Sequence, residues 1–127
     1  MKRGRLLNAR LSGIVAGLGH GDLLVIGDAG LPVPGGVECV DLAVTANVPG
    51  VFDVLDAVLA EMVVERALLA DEAAPDLAAR FLSRDIGTVD YAPHAAFKHR
   101  TAQAVAIVRT GEFTPYANIC LWAGVAF

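Results

Sequence analysis

The spacing of apolar residues changes several times along this chain, and each change marks an element. Leu11, Ile14, Val15 and Leu18 fall at i, i+3, i+4 and i+7, which places them on one face of a helix. Asn8 stands where an N-cap would serve that helix, and Gly19 where it would stop. Residues 23–26 are an unbroken apolar run, too short for a helix and flanked on both sides by Gly-Asp, and they predict a buried strand. The Leu-Pro-Val-Pro-Gly-Gly stretch at 31–36 is a stiff loop. A second strand is expected over 37–44. Asn47-Val48-Pro49 then opens a helix to about residue 60, with Val51, Leu55, Val58, Leu59 and Met62 on one face and Asp53 and Asp56 on the other. A third strand follows over 63–70. Pro75 begins a short helix carrying Leu77, Phe81 and Leu82, residues 88–91 form a strand, and Pro93 opens a helix containing Phe97 and Thr101. Residues 104–108 and 119–123 are the last strands, and the absence of a helix between them suggests an antiparallel pair. Strands alternating with helices predict a single α/β domain over residues 1–127, a three-layer α/β/α arrangement around a mostly parallel or mixed sheet.

Composition narrows this picture. A chain of 127 residues can bury a core without a disulfide or metal staple. Its 55% apolar and 19% charged content suggests buried parallel strands and surface covered by other subunits. A net charge of −4 and basic clusters as small as Lys2-Arg3-Arg5 and Lys98-His99-Arg100, with no interleaved aromatics, argue against nucleic acid. Cys39 and Cys120 lie in apolar runs and read as small buried hydrophobes rather than a bridge. Asn8, Arg10 and Ser12 interrupt what would otherwise mimic a signal peptide, and no stretch is long and apolar enough to span a membrane. A cytoplasmic protein is expected.

The candidate chemistry centres on His20 and Asp28, which bracket the first strand amid Gly19, Gly21, Gly27 and Gly30. Gly17-Leu-Gly19-His20-Gly21 is not a dinucleotide fingerprint, because it follows a helix and lacks the final glycine. No phosphate loop, Gly-x-Ser-x-Gly elbow or Cys-x-x-Cys pair is present. His94 and His99 are five apart, so they do not form the i, i+4 metal clip. A metal held by His20, His94 and Asp28 is the minor alternative, and no cofactor is expected. His20 follows a helix C-terminus, where the macrodipole favours a cation, whereas His94 lies in a first turn, where it favours a neutral ring. Opposite biases of this kind suit an acid and a base. On this reading His20 delivers protons, and Asp28 or neutral His94 accepts them or holds hydroxyls. The competing account puts His94 at a plain loop-to-helix junction. Tyr116-Ala117-Asn118 offers a flat apolar face, a hydroxyl and an amide, which suit a neutral polyol. On these residues alone, a turn tyrosine and a turn asparagine are the better explanation of that pair.

Motifs in order along almost the whole chain decide among these readings: Lys2-x-Gly4, Gly19-His20-x-Asp22, Asp28-Ala-Gly-Leu-Pro-x-Pro34, Val40-Asp41-Leu-Ala-Val-Thr45, Glu61-Met62 with Glu65, His94-x-x-Phe97-Lys98, Arg109-Thr-Gly-Glu112, Pro115-Tyr-Ala-Asn-Ile119 and Ala123-Gly-Val-x-Phe127. This pattern resembles the D-ribose pyranase branch of the RbsD/FucU sugar mutarotases. The resemblance implies cofactor-free conversion of β-D-ribopyranose to β-D-ribofuranose, supplying ribokinase. It also implies His20 as proton donor, with Asp28, His94, Tyr116, Ala117 and Asn118 binding D-ribose. A ring-shaped homodecamer with sites near subunit contacts is implied as well. The connection from Asp71 to Thr88 is shorter than in that family, which bears on the helix expected there. The alternatives are the sister L-fucose mutarotase activity, or a non-catalytic sugar-binding protein accessory to transport.

Overall fold

The computed structural model describes all 127 residues. Four helices, α1 (Ala9–Gly17), α2 (Val51–Leu59), α3 (Pro75–Leu82) and α4 (His94–Thr101), are interspersed with six strands. These are β1 (Leu23–Gly27), β2 (Glu38–Asp41), β3 (Val64–Ala70), β4 (Thr88–Ala92), β5 (Ala106–Arg109) and β6 (Ile119–Ala123). They make one sheet in the order β2-β5-β1-β6-β3-β4. Five strands run parallel to one another, and β6 runs against them between β1 and β3.

The expected reversal of the last strand is therefore present, but its partners differ from expectation. β5 and β6 do not pair, because β1 lies between them: Val25 pairs with Ile107 on one side and Cys120 on the other. This position explains the unbroken apolar run of β1. Alternate side chains point to opposite faces, and helices cover both. Leu24 and Ile26 join Leu69, Val108, Ile119 and Leu121 beneath α1, α2 and α3, whereas Leu23 and Val25 join Leu68, Ile107 and Cys120 beneath α4.

Several boundaries shift for identifiable reasons. The Asn8 side chain accepts from the Leu11 amide at 2.9 Å, as an N-cap should, but α1 ends at Gly17, and Leu18 is already extended, one residue before the expected stop at Gly19. β2 is half its expected length because its sole partner, β5, pairs only from Ala106 to Arg109. α2 begins at Val51 rather than at Asn47, since Asp53 accepts from the Gly50 amide at 2.9 Å and fixes the first turn there. The short connection after Asp71 still forms α3, started by Pro75 at its first position. Cys120 is buried, which pushes its thiol pKa up to about 12, but Cys39 is exposed on the edge strand, contrary to expectation. No helix is long and apolar enough to cross a membrane.

Candidate active site

The parallel strands give the sheet two chemically distinct ends. At their C-terminal end β1 gives way to Asp28, β4 to Pro93 and His94, and the reversed β6 begins just after Asn118. The backbone amide of Asp28 donates to Asn118 Oδ1 at 2.8 Å, and Asn118 Nδ2 donates back to Asp28 Oδ2 at 3.0 Å. The Gly30 amide donates to the other Asp28 oxygen at 2.9 Å, so the carboxylate is oriented from both sides. Asn118 is 1% exposed and Ala117 is fully buried, which leaves half-buried Asp28 as the group facing outward. Tyr116, two residues before Asn118, takes a left-handed backbone conformation with φ 61°. Its ring meets His94 edge-on with centroids 5.1 Å apart. His94 Nδ1 is buried and has no hydrogen-bond partner. Asp28, Asn118, Tyr116 and His94 thus form one contiguous rim. Beside it lies an open cleft of about 370 Å³ lined by Asp28, Ala29, Gly30 and residues 112–115. This is the end of an α/β sheet at which ligands generally bind.

His20 lies at the opposite end. It precedes β1, and its Nε2 is 2.7 Å from Glu65 Oε2 at the start of β3. The five residues of β1, at about 3.3 Å each, hold His20 and Asp28 roughly 17 Å apart within one chain. That span exceeds a monosaccharide. The expectation that His20 and Asp28 act on one bound sugar is therefore corrected for a single chain, and so is a metal site built from His20, His94 and Asp28 of one chain. The cause is local: residues at the two ends of a straight strand are as far apart as the strand is long.

Three glutamates that the sequence left unassigned turn out to organise the site, and none of them pairs with an arginine. Glu72 accepts from the His94 amide with both oxygens, at 2.8 and 3.1 Å, and so caps α4 where Pro93 has no side chain to do it. Glu112 accepts from the Val51 amide at 3.0 Å and from the Thr114 hydroxyl at 2.7 Å. Burial raises its pKa, but the Thr114 hydroxyl, the amides and Arg80 outweigh that and hold it below the usual carboxylate range. Glu65 holds His20. The available signal was a carboxylate near an uncapped helix start, which is visible only once the long-range pairing is known.

Comparison with known proteins is consistent along the whole chain. A D-ribose pyranase of Paracidovorax citrulli is 56% identical over the full length of both chains. The structure of Bacillus subtilis RbsD complexed with D-ribose superposes with a TM-score of 0.93 at 44% identity, again with both chains fully covered. A fucose mutarotase of Streptococcus pneumoniae in complex with L-fucose matches over both full chains with a TM-score of 0.77 at 25% identity. The family model matches residues 1–126, and this chain belongs to the RbsD / FucU transport protein family.

Proposed function

We propose that this protein is a D-ribose pyranase, interconverting β-D-ribopyranose and β-D-ribofuranose in the cytoplasm without a cofactor. The observation that carries the reading is the rim on which Asp28, Asn118, Tyr116 and His94 meet, present in a chain with full-length relatives named for this activity. Asp28 would accept from sugar hydroxyls, oriented for that by Asn118 beneath it. Tyr116 would wall the sugar, and Ala117, buried in the core beside it, would hold that segment in place.

The reaction needs little beyond positioned protons. The anomeric hydroxyl loses its proton as C1=O1 forms, the C1–O5 bond breaks with its electron pair going to O5, and O5 takes up a proton. Reclosure reverses these steps, with the O4 hydroxyl attacking C1. His94 Nδ1, buried and unpartnered, is suited to take the anomeric proton, and His20 to deliver one to the ring oxygen. Each such group supplies about 10²–10⁴-fold, enough for a reaction that already proceeds in water.

Because one chain holds His20 far from the rim, we infer that each site joins the His20 end of one copy to the Asp28 end of the next. Contact between unlike ends is heterologous, and where the rotation between copies closes it makes a ring; the homodecamer is the assembly we propose. Exposed apolar side chains at both ends support it: Val44, Val48 and Phe113 at one, Val63, Val125 and Phe127 at the other.

Saturation-transfer NMR on D-ribose tests the function. Magnetisation should pass between pyranose and furanose signals with the wild type, and His20→Ala should return exchange to the rate in buffer. Line broadening of ribose without exchange would indicate a sugar-binding protein instead. Exchange confined to L-fucose anomers would assign the sister activity.

A further inference from the structure

Glu65 is an added residue in the sheet. Val64 pairs with Ala123 and Arg66 with Trp122, so two steps on β3 oppose one step on β6 and Glu65 forms a β-bulge. A bulge takes a side chain out of the strand's alternation and re-aims it, a device common beside active sites. Here it presents the carboxylate to His20 Nε2 at 2.7 Å.

The backbone on both sides is fixed to hold that geometry. Gly87 has φ +69° and packs so closely that a Cβ there would overlap the Glu65 carbonyl. A Cβ on Gly124 would stand 3.2 Å from the Glu65 Cβ. The Gly124 amide donates to the Val63 carbonyl at 2.9 Å. The His20 loop is tied to the same strand end, since the Gly21 amide donates to the Ala123 carbonyl and the Ala123 amide to the Asp22 carbonyl, at 2.8 and 2.9 Å. The end of β6 thus sets the spacing between His20 and Glu65 from both sides. The two side chains remain 62% and 45% exposed, and an exposed ion pair adds little to stability. Stability does not account for this scaffolding.

We propose that Glu65 is the positioning residue of the catalytic histidine, a role resting on the reading of His20 as the acid. A carboxylate only accepts hydrogen bonds, so it retains a proton on Nε2 and fixes the ring orientation. Nδ1 is then the nitrogen that gives the proton to the ring oxygen and recovers one on reclosure, while Nε2–H stays in place. Glu65 also lines an open cleft of about 580 Å³ with Gly21, Arg66, Thr88 and Trp122, so the pair borders space rather than the core.

The test is Glu65→Gln, measured beside His20→Ala in the same NMR exchange assay. Glutamine keeps the size but can donate to Nε2 as readily as accept from it. With an unchanged melting temperature, kcat should fall by about 10–100-fold, the usual cost of removing a histidine's orienting partner, and KM should stay within about twofold. Nitrogen-15 spectra of the His20 ring should show Nε2 carrying the proton in the neutral wild type and a tautomer mixture in the variant. A wild-type kcat, a loss confined to KM, or an unaltered nitrogen pattern would overturn the role of Glu65 while leaving an inactive His20→Ala to support the function. Retained exchange in His20→Ala would instead overturn the reading of His20 itself.

Discussion

Tyr116 holds a left-handed backbone that costs a residue with a side chain about 1–3 kcal/mol, and strain of this kind persists where something other than stability requires it. The ring meets His94 edge-on, but the hydroxyl makes no hydrogen bond within the chain. The hydroxyl and the ring can therefore be separated experimentally. Tyr116→Phe should leave thermal stability unchanged and raise KM for ribose about three- to tenfold, the value of one neutral hydrogen bond; a lowered melting temperature with unchanged KM would make the tyrosine structural. His20, Asp28 and His94 stood out in the sequence because their residue types carry chemistry in any context, whereas Tyr116-Ala117-Asn118 stood out only through the family motif around it. The sequence hid the role of Glu65, Glu72 and Glu112 because a glutamate's partner here is a backbone amide or ring nitrogen brought close by folding. Glu72, for example, acts on an amide that Pro93 leaves uncapped, 22 residues along the chain.

Helices were legible from periodicity, and what periodicity missed is how unequally they are held. α2 packs five buried side chains and is joined to the segment after α3 through Asp56, whose two oxygens accept from Arg84 Nε and NH2. Arg80 and Arg84 both lie over the Phe52 ring, at 4.0 and 4.4 Å. α4 buries only Phe97 and Thr101, and its near-uniform polarity gave the sequence no face to read. Glu72 at its N-terminus and Phe97 beneath it are what keep His94 in place. The Arg84 hydrogen bonds hold the Asp56 carboxyl below its ordinary pKa, against burial. A lowered folded pKa means stability that is complete above the unfolded value and is lost as pH falls through the folded one. Asp56 is 42% exposed, so screening limits the pair to about 1 kcal/mol or less. Wild type should therefore exceed Asp56→Asn in denaturant stability at neutral pH, and the difference should vanish as pH falls from about 4 toward 2. A difference that persists in acid would trace to packing instead.

At the scale of the whole molecule, the sheet decides where chemistry can occur. Local pattern found the six strands but not their order, because insertion of β6 between β1 and β3 is a choice among partners that no single stretch records. The consequence is functional. With β1 a straight strand buried along its whole length, no local flexing can bring His20 to the Asp28 rim. The site proposed above then draws on two copies, which would make the two ends of the chain genetically separable. His20→Ala keeps an intact Asp28 rim, and Asp28→Asn keeps an intact His20 end, so each variant alone should be inactive. If the two are unfolded together in equal amounts and refolded into mixed rings, a site is complete wherever an Asp28→Asn copy presents its His20 to the rim of a His20→Ala neighbour. Random arrangement in a head-to-tail ring gives about one quarter of wild-type exchange. Separately refolded variants mixed afterwards should give none. If both halves of the site lay within one chain, neither mixture would recover activity, because every copy would carry one defect in its only site.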